Sequence, residues 1–406
     1  MSACRICAQP MRARILDFGP QPVTKKLLRS AAADAPLHPL ALAQCASCGT
    51  IQLVEPFPAA LLIPAEPATT REPEGHLDAM VERLCAMLPK DARIVGVSSK
   101  DDTTLTRFER LGYRNTYRLD MKADLGIADA NAYVESIQQA LTPDLAAAIV
   151  ARHGVADCVI VRHILEHAAA PAQFVAGISA LLKAGGLAAF EVPDCKASLE
   201  HLDYTMVWEE HASYFTEETY RAFCARAALE EITLDSFPHP YENLLVFIGR
   251  RASSSGSARA LVDTGPAAFA VFDAFLDAFR SYKEGVTVAL GAARGRGEKV
   301  YMYGAGHLAV SFINYLNLGV LVDSIVDDAP EKQRTFVPGC RIAVVPSQAI
   351  DGSGRATCIL GISPDREHVL ADRLEERFGK ALRLHSIFNR SSRAFGAGPD
   401  AAYPRP

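Results

Sequence analysis

Apolar residues recur at helical spacing over 76–89 (HLDAMVERLCAMLP), which predicts an amphipathic helix. The run ARIVGVSS (92–99) follows and predicts a short buried strand. A polar turn then leads into a helix over TTLTRFERLG (103–112) and a strand over NTYRLD (115–120). The alternation repeats. ADCVIVRH (156–163) reads as a strand, APAQFVAGISALLKAGG (170–186) as a helix closing on a Gly-Gly C-cap, and LAAFEVPD (187–194) as the next strand. Thr216 is the expected N-cap of a helix over 216–228. ITLDSFPH (232–239) and NLLVFIGRR (243–251) are expected to close the sheet as an antiparallel pair. Strands alternating with helices imply an α/β, doubly wound parallel sheet.

A second such rhythm follows. Residues 263–295 form one long amphipathic helical stretch, with AAFAVFDAFLDAF (267–279) as its apolar face. KVYMYGAGHLAVSFINYL (299–316) is strand, Gly-rich turn and helix; VDSIVDD (322–328) and ATCILGIS (356–363) are later strands. The expected division is a cysteine-bearing module over 1–75, a doubly wound domain over 76–250, a linker and long helix over 251–297, a Rossmann-like domain over 298–390 and a tail over 391–406. A chain of 406 residues exceeds the usual single-domain size, which agrees with several parts.

Chemistry enters first at the N-terminus. Cys4 and Cys7 form one C-x-x-C pair and Cys45 and Cys48 another. Two residues between cysteines let both sulfurs turn toward one ion, and two such pairs complete a tetrahedral S4 shell with no open position. The expectation is structural zinc. The other six of the ten cysteines stand singly, several in apolar runs, as buried reduced thiols do. The N-terminal stretch lacks a continuous apolar core of the signal-peptide type, so the expected location is the cytoplasm. A net charge of −5 makes no electrostatic case for nucleic acid or an anionic membrane. No run approaches the roughly 18 apolar residues of a membrane span.

RHILEH (162–167), EVPD (191–194) and WEEHASYF (208–215) carry the main functional signal. Together with DFGPQP (17–22) after the first cysteine pair, and VDDAPEKQ (326–333) and VPGCRI (337–342) near the end, they make the chain resemble the zinc-containing sugar-nucleotide 3-C-methyltransferases. The resemblance spans nearly the whole chain. It implies a class I methyltransferase-type domain and a C-terminal Rossmann-like domain. It also implies S-adenosyl-L-methionine as methyl donor and a deoxy-4-ketosugar on a nucleoside diphosphate as substrate. In that chemistry a base removes the proton beside the ketone, and the enolate attacks the sulfonium methyl. The reaction needs a general base, donors near the developing oxyanion and a methyl held in line. The resemblance makes His211 the base, Glu210 its orienting partner and Tyr214 the remaining hydroxyl of the block. Trp208, Asp194 and His307 are implied at the substrate, and Ser98, Asp101, Asp120, Arg162 and His163 at the cofactor.

The chain departs from the family pattern at the cofactor turn, which is an acid followed by glycines. Gly96 stands for the acid, Ser98 and Asp102 for the two glycines, and Lys100 for an asparagine; Asp101 alone is in place. A lysine beside a sulfonium is repulsive, and side chains crowd a turn where the backbone must approach the ligand. A tyrosine of the family's E-H block is replaced by Trp208. Asp120 either binds ribose hydroxyls or is a solvated acid at a helix start. The GAGHLA turn (304–309) reads as tight packing of helix on strand, without NAD. His163 and His167 are four apart without a third ligand, which argues against a second zinc. Two readings stay open: a C-methyltransferase with altered cofactor contacts, or a homologue with a degenerate cofactor site. The second would carry out cofactor-free enolisation (isomerase, epimerase or dehydratase) or serve as a non-catalytic partner subunit. The expected partners are small molecules.

Overall fold

The computed structural model describes residues 3–64, 74–227, 229–252 and 266–395; the linker expected from 251 to the helix start at 263 lies outside them from 253 onward, and the tail expected over 391–406 lies outside them beyond 395. The N-terminal part is built of β1 (Met11–Pro22), β2 (Leu37–Cys45), β3 (Ile51–Leu53) and the short helix α1 (Ala59–Leu62). β2 and β3 pair antiparallel, with Gln44 opposite Ile51. Their connecting turn carries Cys48. Neither strand is marked by clear alternation, and the sequence reading had passed over both.

The central sheet is assembled from α2 (His76–Cys85), β4 (Ile94–Gly96), α3 (Asp102–Arg110), β5 (Thr116–Arg118), α4 (Val134–Ala140), α5 (Pro143–His153), β6 (Ala156–Arg162), α6 (Pro171–Leu181) and β7 (Leu182–Asp194). It is completed by α7 (Lys196–Glu200), β8 (Ser213–Tyr214), α8 (Glu217–Arg226), β9 (Leu229–Phe237) and β10 (Asn243–Arg251). The strand order is β5-β4-β6-β7-β10-β9, while β8 joins the N-terminal sheet in the order β1-β2-β3-β8. β5, β4, β6 and β7 run parallel. β10 inserts antiparallel between β7 and β9. β6 explains why its run is apolar throughout. Val159 and Val161 enter the core on one face and Cys158 and Ile160 the core on the other, as the period of two requires for a strand covered on both sides. Thr216 caps α8 as expected, its hydroxyl accepting from the Thr219 amide.

One expectation fails here. The Gly-Gly pair at 185–186 does not cap α6, which ends at Leu181; β7 begins at Leu182 and the glycines lie within it. Leu182 is already opposite Ala156 of β6, so sheet pairing takes over before the glycines are reached. Gly185 supplies a bend at φ +73°.

The C-terminal sheet follows α9 (Pro266–Gly295). It contains β11 (Lys299–Tyr303), α10 (His307–Leu316), β12 (Ser324–Val326), β13 (Val344–Val345), β14 (Ala356–Leu360), α11 (Pro364–Phe378) and β15 (Leu382–Ser386). All five strands are parallel, in the order β13-β12-β11-β14-β15. Gly304 ends β11 at φ +101°, and a Cβ there would meet the Gly361 carbonyl oxygen at 2.7 Å. The turn is therefore glycine because two backbones touch.

Contacts divide the chain into two compact units. One comprises residues 1–15, 42–196 and 210–269; the other comprises 16–41, 197–209 and 270–406.

Candidate functional site

The four N-terminal cysteines converge. Cys4 Sγ lies 3.7 Å from Cys48 Sγ and Cys7 Sγ 3.4 Å from Cys45 Sγ, and all four sulfurs fall within 4.8 Å of one another. Zinc–sulfur bonds of about 2.3 Å in a tetrahedron put sulfurs about 3.8 Å apart, so the set fits one zinc ion. All four are buried, and backbone amides point at their sulfurs: Ile6 N at Cys4, and Ser47 N and Cys48 N at Cys45. Gln52 Nε2 donates to Cys4 Sγ at 3.0 Å. Such donors stabilise thiolate. Hydrogen bonds from Cys45 and Cys48 hold the Cys4 thiol low, and Cys4 in turn pushes Cys45 and Cys48 up. No non-cysteine ligand enters the set, so zinc here would hold structure and leave no position for substrate.

The crevice at the carboxyl ends of β4, β6 and β7 is where doubly wound sheets bind ligands. Its occupants in this chain are side chains. Arg162 ends β6, and its guanidinium lies 3.2 Å from Glu191 Oε2 and 3.1 Å from Glu74 Oε1. It also donates to the Lys100 carbonyl at 2.5 Å, spanning the crevice to the turn after β4. His163 Nε2 lies 2.7 Å from Glu191 Oε1, and His76 Nε2 lies 2.8 Å from Glu191 Oε2. Glu191 is only 1% exposed, so its charge is held by these neighbours, away from water. Burial opposes its ionisation, but His163, His76 and Arg162 bring its carboxyl well below the usual range. Burial and Lys100 oppose charge on His163, yet Glu166 and Glu191 raise it to about 9. The backbone of His163 is left-handed, at φ +51°, a strain the network maintains.

The turn itself is closed by Asp101. Its Oδ2 accepts from Val97 N and Ser98 N, both at 2.8 Å, so its own carboxylate occupies the amides a ligand would use. Ser98 caps the short helical turn through Lys100 N. Burial pushes Asp101 up to about 7. The remaining glycine serves this packing: a Cβ on Gly96 would come within 2.9 Å of Asp101 Cβ. Asp120 is exposed and accepts from Lys122 N and Ala123 N, capping its own turn. With Arg162 and Lys100 beside the turn and no glycine left free for backbone approach, these residues do not fit a sulfonium cofactor. Of the residues in the crevice, Glu74, His76 and Glu191 were not named as site residues from the sequence.

A second buried cluster surrounds His211. His211 packs edge-to-face on His167, ring centroids 4.8 Å apart, and lies 6.0 Å from the Tyr214 ring. Ligating atoms of Glu166, His167 and His211 lie within 4.8 Å of one another, as do those of Glu135, His167 and Glu210. His167 Nδ1 is 3.1 Å from Glu135 Oε1. Burial works against a charge on His167, but Glu135, with Glu166 and Glu210, raises its pKa. Tyr214 and His211 are both buried. Asp194, at the end of β7, accepts from Lys196 N and is raised by burial. His167, Glu135 and Glu166 were not anticipated as partners of His211. Glu135 lies in α4, far away in sequence, and nothing local announces it.

In the other unit, Trp208 and His307 stack with ring centroids 4.5 Å apart, and Lys25 Nζ sits 4.0 Å above the Trp208 ring. His307 Nε2 lies 3.0 Å from the Thr205 carbonyl, and its Nδ1 lies 3.0 Å from Thr24 Oγ1. Burial and the nearby Lys25 lower His307 to about 3. It is therefore a neutral ring with both nitrogens engaged. Thr24 also donates to Glu209 at 2.6 Å and 2.8 Å. The WEEHASYF block thus changes unit in mid-motif: Trp208 and Glu209 belong to one, Glu210 and His211 to the other.

A four-cysteine zinc module beside a β5-β4-β6-β7-β10-β9 sheet defines a class: an α/β protein of the S-adenosylmethionine-dependent methyltransferase fold with a structural metal centre. Comparison with known families agrees. Residues 4–62 match the model of a zinc binding domain, residues 71–234 that of a methyltransferase domain, and residues 260–380 that of a C-methyltransferase C-terminal domain. The three matches follow one another along the chain as zinc binding domain, methyltransferase domain and C-methyltransferase C-terminal domain. The C-methyltransferase NovU of Streptomyces niveus is 27% identical over 222 residues, covering 52% of this chain and 52% of that protein. The chain therefore spans about half the length of the curated relative it matches. Among solved structures, a 1,6-didemethyltoxoflavin-N1-methyltransferase of Burkholderia thailandensis is 14% identical over 44% of this chain and 77% of its own, with a TM-score of 0.30. A magnesium protoporphyrin IX methyltransferase of Synechocystis is 12% identical over 44% of this chain and 82% of its own, with a TM-score of 0.31.

Proposed function

We propose that the chain abstracts the proton beside a ketone in a small molecule of the sugar-nucleotide class, with His211 as base and Glu210 as its orienting partner. The observation that carries this reading is the buried cluster of His211, His167, Glu135, Glu166 and Glu210. Buried groups of mixed charge gathered at one point are the means by which proteins tune acids and bases. His211 takes the proton, the C–H electron pair moves onto the ketone oxygen, and an enolate forms. His167, whose pKa is raised by its carboxylates against the effect of burial, lies in the same cluster as that anion. The Tyr214 hydroxyl is the donor assigned to the oxyanion.

S-adenosylmethionine, the donor of the family, supplies an electrophilic methyl where it binds. Proton abstraction is the half of the reaction that needs only this chain's own residues. Asp194 is assigned to the substrate, and the cysteine module to scaffold. Among the described residues no helix is long and apolar enough to cross a membrane. The reading places the protein in the cytoplasm, where ten unpaired cysteines stay reduced.

The test is proton exchange in D2O, followed by NMR, on nucleoside-diphosphate 4-keto-6-deoxysugars. The wild-type protein should exchange the proton beside the ketone. His211→Ala should lose about 10²–10⁴-fold in rate, the usual worth of a general base, and Glu210→Gln should lose less. Exchange by His211→Ala at the wild-type rate would remove His211 from the chemistry. A folded wild-type protein that exchanges none of these sugars would sink the reading.

A further inference from the structure

We infer that Arg162, Glu191, His163, His76 and Glu74 form a side-chain plug that stands in the place of the methyl donor, so that this chain does not bind S-adenosylmethionine and returns a proton, not a methyl group, to its enolate. The inference rests on the enolisation reading only for its second half; the plug is argued from the crevice alone.

Three observations converge on it. The first is position. Arg162 and His163 leave the carboxyl end of β6 and Glu191 lies on the adjoining β7, at the edge where a doubly wound sheet receives its ligand. Arg162 reaches across to the Lys100 carbonyl in the turn after β4, closing the space from side to side. The second is satisfaction. Both Glu191 oxygens are engaged, Oε1 by Arg162 with the His163 ring close by and Oε2 by His76 and Arg162, and one Asp101 oxygen, Oδ2, takes two amides of the turn. A cofactor entering here would have to break ion pairs around a carboxylate that is 1% exposed. Stripping the partners from a buried charge is strongly unfavourable. The third is sign. A sulfonium is a cation, and the crevice already holds Arg162, Lys100 and a charged His163. Of the carboxylates there, Glu191 and Glu74 are each already paired with Arg162.

The chemistry that remains is balanced without a donor. His211 breaks the C–H bond and carries the proton. The electron pair rests on the ketone oxygen and then returns to carbon, and the same proton or one from water re-forms a C–H bond. Return to the opposite face inverts the centre, which makes the reaction class an epimerisation or isomerisation of a keto-sugar.

The experiment is calorimetric titration of the purified zinc-loaded full chain with S-adenosylmethionine and S-adenosylhomocysteine, with a cooperative thermal transition as proof of folding. No saturable heat and no shift in Tm up to millimolar ligand are expected. Saturable binding of either in the micromolar range overturns the plug. A second variant locates the obstruction. Ser98→Gly with Asp102→Gly restores the glycines of the turn but leaves Arg162 in place, and should stay silent. If that variant binds while still folded, the loop and not the ion network is the obstacle, and the inference fails. The two proposals part cleanly. Absent binding with absent exchange keeps the plug and removes the enolisation; binding with His211-dependent exchange does the reverse.

Discussion

At the scale of single residues, the crevice makes stability depend on pH in a definite direction. His163 is raised from 6.5 to about 9 in the folded chain, so its charge stabilises the fold fully below the lower value and the gain is lost as pH rises through the upper one. Asp101, raised from 3.8 to about 7, adds to the same slope earlier, because ionising a buried carboxyl costs the folded state as pH climbs through that range. Denaturant midpoints should therefore fall between pH 6.5 and 9, and His163→Asn should flatten that stretch by up to about 3 kcal/mol, at about 1.4 kcal/mol per pKa unit. An unchanged slope in His163→Asn would assign the dependence elsewhere. Part of this network was legible beforehand. Arg162 and His163 stand where an apolar strand ends, the position at which such sheets bind ligands, whereas Glu191 within the next strand was not singled out. His76 and Glu74 were not legible as members, because they sit at the start of a helix whose angle to the sheet is fixed only by packing.

Elements repeat the lesson. β6, β10 and α9 were readable because their apolar runs or stripes are long, and β4 and β11 because their short runs are bounded by turn residues. The Gly-Gly pair misled because local cap chemistry lost to the pairing of Leu182 with Ala156. α5 was overlooked although Thr142 and Pro143 mark its start, Thr142 accepting from Leu145 N. Its alanine-rich body shows no stripe. The tight turn before α10 gives a direct test. Gly304→Ala must hold a side chain at φ +101° against the Gly361 carbonyl, and strain alone should cost about 1–3 kcal/mol, measured by chemical denaturation. Thr216→Ala should cost about 1 kcal/mol through loss of the α8 cap. A Gly304→Ala protein as stable as wild type would mean the two strand ends are further apart than described.

For the whole molecule, the zinc centre is the first prediction. The purified protein should carry close to one equivalent of zinc, and cobalt substitution should give the intense visible bands of a tetrahedral thiolate site. Cys48→Ser should weaken metal retention and lower Tm. A six-coordinate cobalt spectrum would contradict the S4 shell. Whether domains match blocks of sequence is a separate matter. By their contacts, residues 16–41 and 197–209 group with 270–406 rather than with the segments that flank them in sequence. A fragment comprising 270–406 alone should therefore lack cooperative unfolding in calorimetry, and a fragment that melts as sharply as the full chain would refute this.

That interleaving also governs how the chain comes to be folded. Residues 16–41 wait for partners made far later, at 270–406, and the other unit cannot close until residue 210 and beyond have appeared. Neither can be finished as it leaves the ribosome. Loops of well over a hundred residues must be shut before the late contacts repay their entropy, and high contact order of that kind slows folding and prolongs the exposure of apolar strands. The N-terminal metal knot is the exception. Its ligands, Cys4 to Cys48, all lie within one short stretch of sequence. A zinc ion taken up early would anchor one end of the chain while the rest is still being made.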